Sequence, residues 1–446
     1  MCDYKKILTE NSMQAFLFSS KIGLEKENHR VNPLGFLSKQ PHPSALFMRE
    51  ENHYIKTDFA ETQMEFITPP FSTEKEALLF LEAEHYAAIL ALENDDLLWH
   101  ASMPPDLPHR DEEIPLSQLN DTQEVDYRKY LVQKYGKRKQ MMSGIHVNFE
   151  LGEDFLKQLY TLLHAKTSLK EFSNEVYMKI ARQYLRYEWL LTYLLGASTR
   201  AFSGFFRNGE SLPRAVRSIR NSMFGYRNFN EVKVRFTSLD TYVKDLQKMI
   251  AEKKLIGERE FYSPVRLRSG KKAFELQLNG IQYIELRNID IVPFQPFGIS
   301  YATLRFLHLF LLFLLWKPEE NPELAQQDGL EKNYTVAFES PQDKTVLYDE
   351  GKRLFQEWQE FPLSAADKKI IQEFERMLDF PEETPSGKME MYQKFDPEFI
   401  LRFSKTNHKM SIEKAGQLPK NWQQVVEGIQ QNLDLSTLKE RRDTIK

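Results

Sequence analysis

The stretch GLEKENHR, residues 23–30, places two glutamates two positions apart among residues that look buried. In a β-strand, side chains two positions apart point to the same face, so Glu25 and Glu27 would lie side by side. Two neighbouring carboxylates repel each other unless water screens them or a cation lies between them. The stretch therefore predicts a strand with an acidic face, which is either a solvated edge or one side of a cation site.

Three other stretches show the same two-residue alternation of polar and apolar side chains. They are TDFAETQMEFIT at 57–68, SGIHVNFE at 143–150 and GIQYIELRNIDIVPF at 280–294. The polar members of these faces, with one acid just ahead of the first, are Asp58, Glu61, Gln63, Glu65, His146, Asn148, Tyr283, Glu285 and Arg287. Each pattern predicts a strand whose polar side chains face away from the packed side.

The residue types on these faces point to bound cations. Alternation alone is typical of antiparallel strands with one side in water, but Glu and Asp are depleted in ordinary strands. If the strands are neighbours in one sheet, at least five carboxylates converge on one concave face, and such a cluster requires divalent cations. Oxygen ligands with one imidazole suit Mg²⁺ or Mn²⁺. Magnesium held this way completes its shell with phosphates, which predicts phosphoryl transfer from ATP with Arg287 as an electrostatic clamp.

Other stretches supply cations and hydrogen-bond donors. Arginine binds carboxylate or phosphate through two parallel hydrogen bonds, so an arginine beside a tyrosine or an apolar strand is a binding candidate. The candidates are Tyr127, Arg128, Arg220, Tyr226, Tyr262, Arg266 and Arg268. In the basic segment 128–139 the four lysines Lys129, Lys134, Lys137 and Lys139 are instead expected on a solvated helix face.

Composition excludes several classes of function. The 446 residues include 60 basic and 64 acidic side chains, a net charge of −4, so bulk charge does not indicate a nucleic-acid binder. The sequence contains neither GxxxxGK[ST] nor GxGxxG, so a nucleotide would bind without a P-loop or a Rossmann turn. Cys2 is the only cysteine, which excludes intramolecular disulfides and thiolate metal clusters and favours a cytoplasmic location.

Helical patterns separate and follow these strands. Residues 72–93 predict a helix that opens on Ser72, residues 123–139 a second one, and residues 154–195 two more that end at Gly196. No N-terminal apolar run is long enough for a signal peptide, and the apolar stretch 304–316 falls short of a membrane span, so it is predicted as a buried helix.

The character of the chain changes at residue 317. The polar stretch KPEENPELAQQDGLEKN, 317–333, is punctuated by Pro and Gly and predicts a linker or surface loop. The residues after it are charged and mostly of helical pattern. We therefore expect residues 1–316 to carry the chemistry and residues 317–446 to form a peripheral, mostly helical region packed on the same domain.

Eight motifs together resemble a known family. They are GLEKENHRV, TDFAETQMEFITP, SMPP, DYRKYLVQKYG, SGIHVNF, YLLGAS, FYSPVRLR and GIQYIELRNIDIVPF. In this order and over roughly residues 20–316 they resemble bacterial glutamate–cysteine ligase. The resemblance is greatest to the ligase portion of bifunctional glutathione synthetases from Gram-positive bacteria. The sequence stops before any second domain of the ATP-grasp type, so the expected protein is monofunctional.

The resemblance implies a fold, a reaction and a set of partners. The fold is α+β and similar to the glutamine synthetase catalytic domain, with a curved, mainly antiparallel sheet forming a funnel and helices outside it. The γ-carboxylate of glutamate attacks the γ-phosphate of ATP, and cysteine's amine then displaces phosphate from γ-glutamyl phosphate. The product, γ-glutamylcysteine, is the first intermediate of glutathione biosynthesis. The implied partners are glutamate, cysteine and ATP, with no nucleic acid and no membrane.

The resemblance also assigns roles by motif position. The implied metal ligands are Glu25, Glu27, Asp58, Glu65, His146 and Glu285. Arg287 matches the arginine near the transferring phosphoryl group, and with Glu285 it forms the implied catalytic pair. The residues around the amino-acid pockets are Tyr127, Arg128, Arg220, Tyr226 and Tyr262. Glu61 is a further candidate for the metal set.

Three positions depart from the family pattern. Lys26 and Val147 stand where relatives often have Arg and Tyr, and the segment LLWHA, which contains His100, replaces the common LWPL. These departures could reshape the amine pocket, so a γ-glutamyl ligase with another acceptor is one alternative. A catalytically silent homologue that binds nucleotide or metal is another, although every implied ligand is present.

Overall fold

The strand that contains Glu25 and Glu27 lies inside an open antiparallel sheet. A computed structural model of the protein describes residues 3–207, 209–270 and 273–435, without the side chains of 273 and 274. The strands are β1 (Ser20–Val31), β2 (Ile55–Thr57), β3 (Gln63–Ile67), β4 (Leu97–Leu98), β5 (Ile145–Leu151), β6 (Val265–Arg268) and β7 (Tyr283–Ile289). Their order is β2-β3-β1-β5-β7-β6, with the short β4 also paired to β1. The solvated-edge alternative for β1 is therefore wrong.

Helices cover one side of this sheet and extend beyond it. They are α1 (Tyr4–Thr9), α2 (Asn11–Gln14), α3 (Glu74–Ala91), α4 (Thr122–Tyr135), α5 (Lys137–Gln140), α6 (Glu153–Leu162), α7 (Leu169–Leu195), α8 (Leu239–Ala251), α9 (Ala273–Asn279), α10 (Tyr301–Trp316), α11 (Ala325–Ala337), α12 (Tyr348–Trp358), α13 (Ala365–Asp379), α14 (Pro385–Phe395), α15 (Phe399–Ala415) and α16 (Lys420–Gln430). The predicted α+β class, with an antiparallel sheet and helices outside it, is confirmed.

The period-two patterns decide which face of the sheet is buried. Leu24, Val147, Phe149 and Leu286, which alternate with the polar residues, are all at most 2% exposed and belong to the main hydrophobic core. Helices α3, α7 and α10 pack into the same core. The side chains of Glu25, His146 and Glu285 are thereby left on the opposite face, which is free to form a site.

The apolar stretch 304–316 is the buried helix predicted from the sequence. It forms most of α10, which begins after the Ser300 cap and has 16 residues. Among the described residues, no helix combines the length and the hydropathy needed to cross a bilayer.

Two helix boundaries differ from the predictions. Helix α3 is capped by Thr73, whose hydroxyl accepts a hydrogen bond from the Glu76 amide, and not by Ser72. The helix predicted over 123–139 is broken at Gly136, where φ is +81°. Because only glycine adopts this backbone conformation at low cost, the chain ends α4 there and starts α5 in a new direction.

The stretch 317–333 is only partly a linker, because α11 begins at Ala325 and packs along α7. Gly329 lies so close to α7 that an added Cβ would be 1.8 Å from the Leu185 carbonyl oxygen. Asn333 accepts a hydrogen bond of 2.6 Å from the Thr192 hydroxyl. The glycine and polar residues that look like loop signals in the sequence are thus helix–helix contacts.

The helices after α11 share the main core. Leu354, Phe355 and Trp358 of α12 belong to the same buried cluster as α7 and α10, and the Trp358 ring stacks on Phe313 at 4.7 Å. The described part of this region contains the helices α12 to α16. Its division from residues 1–316 stays a prediction.

Candidate active site

The register of the central strands brings four predicted ligands together. Glu27 of β1 lies directly opposite Glu65 of β3, and Glu25 lies directly opposite His146 of β5. Side chains opposite each other on one face of an antiparallel pair are about 5 Å apart at Cβ. The acidic and imidazole groups of three sequence motifs therefore become neighbours on one face of the sheet.

Strand β7 adds Glu285 next to Glu25 and His146, as a third ligand at that point. Asn148 of β5 lies opposite Glu285 of β7, and a register shift between Ile145 and Val147 adjusts the pairing beside it. His146 Nδ1 is 3.1 Å from Glu25 Oε2 and 3.5 Å from Glu285 Oε1. One ligand atom from each of Glu25, His146 and Glu285 lies within 4.8 Å of the other two. A single cation of ordinary size can contact all three.

These residues line a cleft with a volume of about 340 Å³. Apart from Glu61, every predicted metal, catalytic and substrate residue lines it, namely Glu25, Glu27, Asp58, Glu65, Tyr127, Arg128, His146, Arg220, Tyr226, Tyr262, Glu285 and Arg287. The carboxylates gather toward the central strands, and arginines and tyrosines form the rest of the wall.

Burial and mutual repulsion disturb the acids unequally. Burial would raise the pKa of Glu25, but the hydrogen bond and charge of His146 outweigh it and lower that pKa to about 2. Burial together with the charge of Asp58 raises the pKa of Glu27 to about 7. Burial and three neighbouring carboxylates raise the pKa of Glu65 well above its ordinary value. The cluster thus carries more carboxylates than the protein alone can hold ionised, which fits a cation-binding function.

Arginines approach the cluster from the β6–β7 side. Arg287 Nε is 3.1 Å from Glu285 Oε1, and the Arg287 guanidinium lies 5.4 Å from the centre of the Tyr262 ring. Arg268 Nε is 3.4 Å from Glu285 Oε2. Positive charge therefore lies next to the acidic group, where an anionic substrate would meet both.

Arg220 is held in the cleft wall by backbone contacts. It donates to the carbonyl oxygen of Arg287 at 2.7 Å and to that of Ile289 at 3.3 Å. Its guanidinium lies against Gly144, where an added Cβ would be 2.0 Å from Arg220 Nη2. The Gly144 amide in turn donates to Glu27 Oε2 at 2.9 Å. Because residue 144 has no side chain, the Arg220 guanidinium and the Glu27 carboxylate can both lie against its peptide group.

Aromatic rings form another part of the cleft wall. The Tyr226 and Tyr262 rings meet edge to face at 5.6 Å, and Arg259 lies 3.6 Å from the centre of the Tyr127 ring. Arg128 Nε donates to the Asp58 carbonyl oxygen at 3.0 Å. The rings are rigid and partly apolar, so they can position a small substrate while reducing contact with water.

Comparison with known proteins places the chain in a family. A model of the family described as glutamate-cysteine ligase matches residues 6–256 and 250–336. The chain belongs to the glutamate–cysteine ligase family. It is 43% identical to the glutathione biosynthesis bifunctional protein of Enterococcus faecalis over 393 residues, 87% of this chain and 52% of that protein. The protein of the same name from Pasteurella multocida is 40% identical over 348 residues, 78% of this chain and 46% of that protein. The chain thus spans about half the length of these relatives.

Solved structures share the fold. The crystal structure of a bifunctional glutathione synthetase from Pasteurella multocida matches 97% of this chain and 58% of that chain, with a TM-score of 0.90 and 33% identity. A glutamate–cysteine ligase from Francisella tularensis, solved in complex with AMP, matches 95% of this chain and 94% of that chain, with a TM-score of 0.83 and 24% identity. The antiparallel sheet with outer helices is therefore the fold of this ligase family.

Glu61 does not lie in the cleft, so its inclusion in the metal set is wrong. It precedes β3 in a turn, where its carboxylate accepts hydrogen bonds from the His42 amide at 3.0 Å and the Gln118 amide at 2.9 Å. It also pairs with Arg49. The strand phase assumed for 57–68 fails because β3 starts only at Gln63. Glu61 therefore links the segments that contain His42, Arg49 and Gln118.

The three departures from the ligase pattern do not line the cleft. Val147 is 2% exposed and packs in the core, and the buried His100 amide donates to Ser404 Oγ. Lys26 is fully buried on the opposite side of the sheet, with Nζ 2.7 Å from His85 Nε2. The expectation that these residues reshape the amine pocket is therefore not supported by their positions.

Some cleft residues have no clear sequence signal. Arg259, Glu124 and Gln140 line the cleft but belong to no alternating pattern. Lys139 lines it too, so its assignment to a solvated helix face is wrong. The contacts of the other three lysines show that the same assignment is wrong for Lys134 and Lys137 and right for Lys129. Lys134 pairs with the buried Glu260 at 2.6 Å, Lys137 donates to two backbone carbonyls, and Lys129 is 61% exposed.

Proposed function

We propose that this chain is an ATP-dependent glutamate–cysteine ligase that joins the γ-carboxylate of glutamate to the amine of cysteine. The observation that carries the proposal is the convergence of Glu25, His146 and Glu285 on one point beside Arg287, in a chain of this ligase family. The product would be γ-glutamylcysteine, and the bifunctional relatives are named for glutathione biosynthesis.

The residues present fit a hard divalent cation. The donor set is carboxylate oxygen with one imidazole, and the pKa of Glu27 is raised because burial and the charge of Asp58 outweigh the opposing charges of His146 and Arg220. We propose Mg²⁺, with Mn²⁺ as the alternative, held by Glu25, His146 and Glu285, with Glu27, Asp58 and Glu65 on the same cleft wall. When bound, the metal would neutralise charge on the phosphates of ATP.

In the first step, an oxygen of the glutamate γ-carboxylate attacks the γ-phosphorus of ATP. The bond from that phosphorus to the bridging oxygen breaks, ADP leaves, and γ-glutamyl phosphate forms. Arg287 lies at the edge of the acidic cluster, where its guanidinium would stabilise charge that develops on the transferring phosphoryl group. Because the guanidinium also faces the Tyr262 ring, its orientation is fixed before substrate arrives.

In the second step, the cysteine nitrogen attacks the acyl carbon, the bond from that carbon to the phosphate oxygen breaks, and the amine loses a proton. An acyl phosphate hydrolyses in water, so the cleft must limit water access once it forms. The rings of Tyr127, Tyr226 and Tyr262 line the cleft for this purpose. Arg128 and Arg220 are the proposed partners of the amino-acid carboxylates.

The remaining predictions concern the setting of the reaction. We propose that it takes place in the cytoplasm on small molecules alone, without nucleic acid or membrane. We also propose that residues 1–316 form the catalytic part and that residues 317–446 support it. A single copy of the chain carries every group that this proposal uses.

The proposal is tested by ADP release from the purified protein. Mg·ATP and glutamate are supplied with and without cysteine, and the product is identified by mass spectrometry. Cysteine-dependent ADP release with γ-glutamylcysteine as product is expected. ADP release that cysteine does not stimulate would show that the acceptor is another amine, and a screen of amines would identify it. No ADP release with any acceptor would overturn the ligase assignment.

A further inference from the structure

Glu285 lies between two arginines, of which the proposed reaction uses only one. Arg287 Nε is 3.1 Å from one carboxylate oxygen, and Arg268 Nε is 3.4 Å from the other. Arg268 belongs to β6 and Arg287 to β7, so the two guanidinium groups approach from neighbouring strands. The charge of Glu25 also acts on both guanidiniums, so two of the predicted metal ligands, Glu285 and Glu25, balance the two positive charges.

These contacts are electrostatic and are not aligned hydrogen bonds. Within the described part of the chain, the buried Nε–H groups of Arg268 and Arg287 have no hydrogen-bond acceptor in proper geometry. A buried donor without an acceptor is costly, and such groups are usually satisfied by a partner. An anion with several oxygens could accept hydrogen bonds from both guanidiniums.

Other arginines of the cleft use some of their donors on carbonyl oxygens of the protein. Arg266, two residues before Arg268, donates to the carbonyl oxygens of Glu258 and Phe261 at 2.8 and 3.0 Å. Arg220 donates to the carbonyl oxygens of Arg287 and Ile289, both within β7. Arg268 is 30% exposed and lines the cleft. Its guanidinium also hydrogen-bonds with Tyr283, but its Nε–H has no acceptor and is therefore open to a ligand.

Charge balance indicates which ligand this would be. A divalent cation at Glu25, His146 and Glu285 would draw on both of the carboxylates that now balance the two arginines. The cation and the two guanidiniums would then repel one another at short range, unless an anion lay between them. A phosphate group can bridge a metal and two arginines because it offers several charged oxygens.

We propose that Arg268 binds the terminal phosphates of the nucleotide together with Arg287, one on each side of Glu285, and so couples metal binding to triphosphate binding. The inference rests on the proposed function, since it takes ATP as the anion. Metal bound at Glu285 weakens the hold of that carboxylate on both arginines and frees them for phosphate. By linkage, the triphosphate must increase the affinity for the metal by the same factor.

The test is calorimetric binding to the whole protein, without glutamate or cysteine. The ligands are the β,γ-imido analogue of ATP and AMP, each with Mg²⁺, and Mn²⁺ alone. Arg268→Gln should bind the triphosphate analogue at least about tenfold more weakly, while AMP, which has no terminal phosphates, changes less than about twofold. Mn²⁺ alone should bind as tightly as to the wild type or more tightly, because a repelling charge is gone.

Two further variants separate this role from a loss of structure. Arg110→Gln removes the same charge at a side chain that is 75% exposed and outside the cleft, and it should change none of these affinities. Arg268→Lys keeps the charge without the planar fork and should recover part of the triphosphate affinity. Each variant is first compared with the wild type by circular dichroism and thermal unfolding.

The outcomes separate this inference from the proposed function. Equal loss of AMP and triphosphate affinity, or no loss, in a folded Arg268→Gln protein would overturn the role of Arg268 while the ligase assignment stands. Failure of the wild-type protein to bind the triphosphate analogue would overturn the ATP-dependent function itself, and with it this inference. Selective loss of triphosphate binding with retained Mn²⁺ binding supports both.

Discussion

Glu27 and Glu65 face each other across β1 and β3 in direct register, and the pKa of each is raised. Adjacent carboxylates on one face of a sheet destabilise the folded protein when both are ionised. The site is therefore held together at a cost in stability, and that cost should fall when a cation binds. Such a trade between stability and function is typical of active sites.

The first prediction concerns pH and the metal-free protein. The folded-state pKa of Glu27 is about 7, above its ordinary value of 4.5, so its contribution to stability is present at low pH and lost as pH rises through this range. The difference corresponds to at most about 3 kcal/mol. Without divalent cation, Glu27→Gln should therefore unfold at higher urea concentration than wild type at pH 8, and by a smaller margin at pH 5.

Its control is Glu112→Gln, which changes an exposed carboxylate outside the cleft and should alter neither midpoint. A Glu27→Gln protein that is less stable than wild type at pH 8 would contradict the repulsion described here.

The second prediction concerns the proposed metal ligands. Glu25→Gln and Glu285→Gln each remove a charged oxygen from the point where three ligand atoms converge. We expect both to lower kcat by on the order of 10²-fold or more, since charge stabilisation in the transition state is lost. Mn²⁺ titration by calorimetry should show weaker binding while circular dichroism is unchanged. Full turnover in both variants would remove these residues from the metal site.

The third prediction follows from the close approach of Arg220 to Gly144. The three atoms nearest to an added Cβ all belong to the guanidinium end of Arg220, so Gly144→Ala should fold and displace Arg220. Its loss of kcat/KM should resemble that of Arg220→Ala, and the double variant should be no worse than either one. Gly257→Ala, where the added methyl meets nothing within 4 Å, is the matched control. Additive losses would mean that the two residues act separately.

The fourth prediction separates Glu61 from the metal site. Glu61→Gln breaks the pair with the half-buried Arg49 and weakens two hydrogen bonds to backbone amides. We expect a loss of about 1–3 kcal/mol in the free energy of unfolding, measured by urea denaturation. Affinity for Mn²⁺ should stay within about twofold of the wild type. A large loss of affinity with unchanged stability would instead return Glu61 to the metal set.

The acidic face could be predicted because its signal is local. In β1, β3, β5 and β7 the polar and apolar side chains alternate with period two, and one face must pack in the core. The same rule failed for Glu61, because a turn interrupts the period before Gln63. Local patterns thus identify faces reliably only where the strand is continuous.

Other features depend on contacts between distant segments. The central place of β1 is decided by its pairing with β3 and β5, which no local pattern shows. In the sequence, Gly329 looks like a loop signal and so favours a linker. In the structure it belongs to α11, where close packing on α7 requires a glycine. Arg259 lies in a short 3-10 helical segment, and Lys139 lies in the four-residue helix α5. Neither segment is long enough for a periodicity that would indicate which of its side chains reach the cleft.

The central claim is that glutamate is activated as an acyl phosphate, and isotope transfer tests it most directly. Glutamate labelled with ¹⁸O in its γ-carboxylate is turned over with Mg·ATP and cysteine, and the inorganic phosphate is analysed by mass spectrometry. The account predicts one ¹⁸O atom in each phosphate released, because the bond from the acyl carbon to the phosphate oxygen breaks when the amine attacks. Unlabelled phosphate accompanying γ-glutamylcysteine would contradict it.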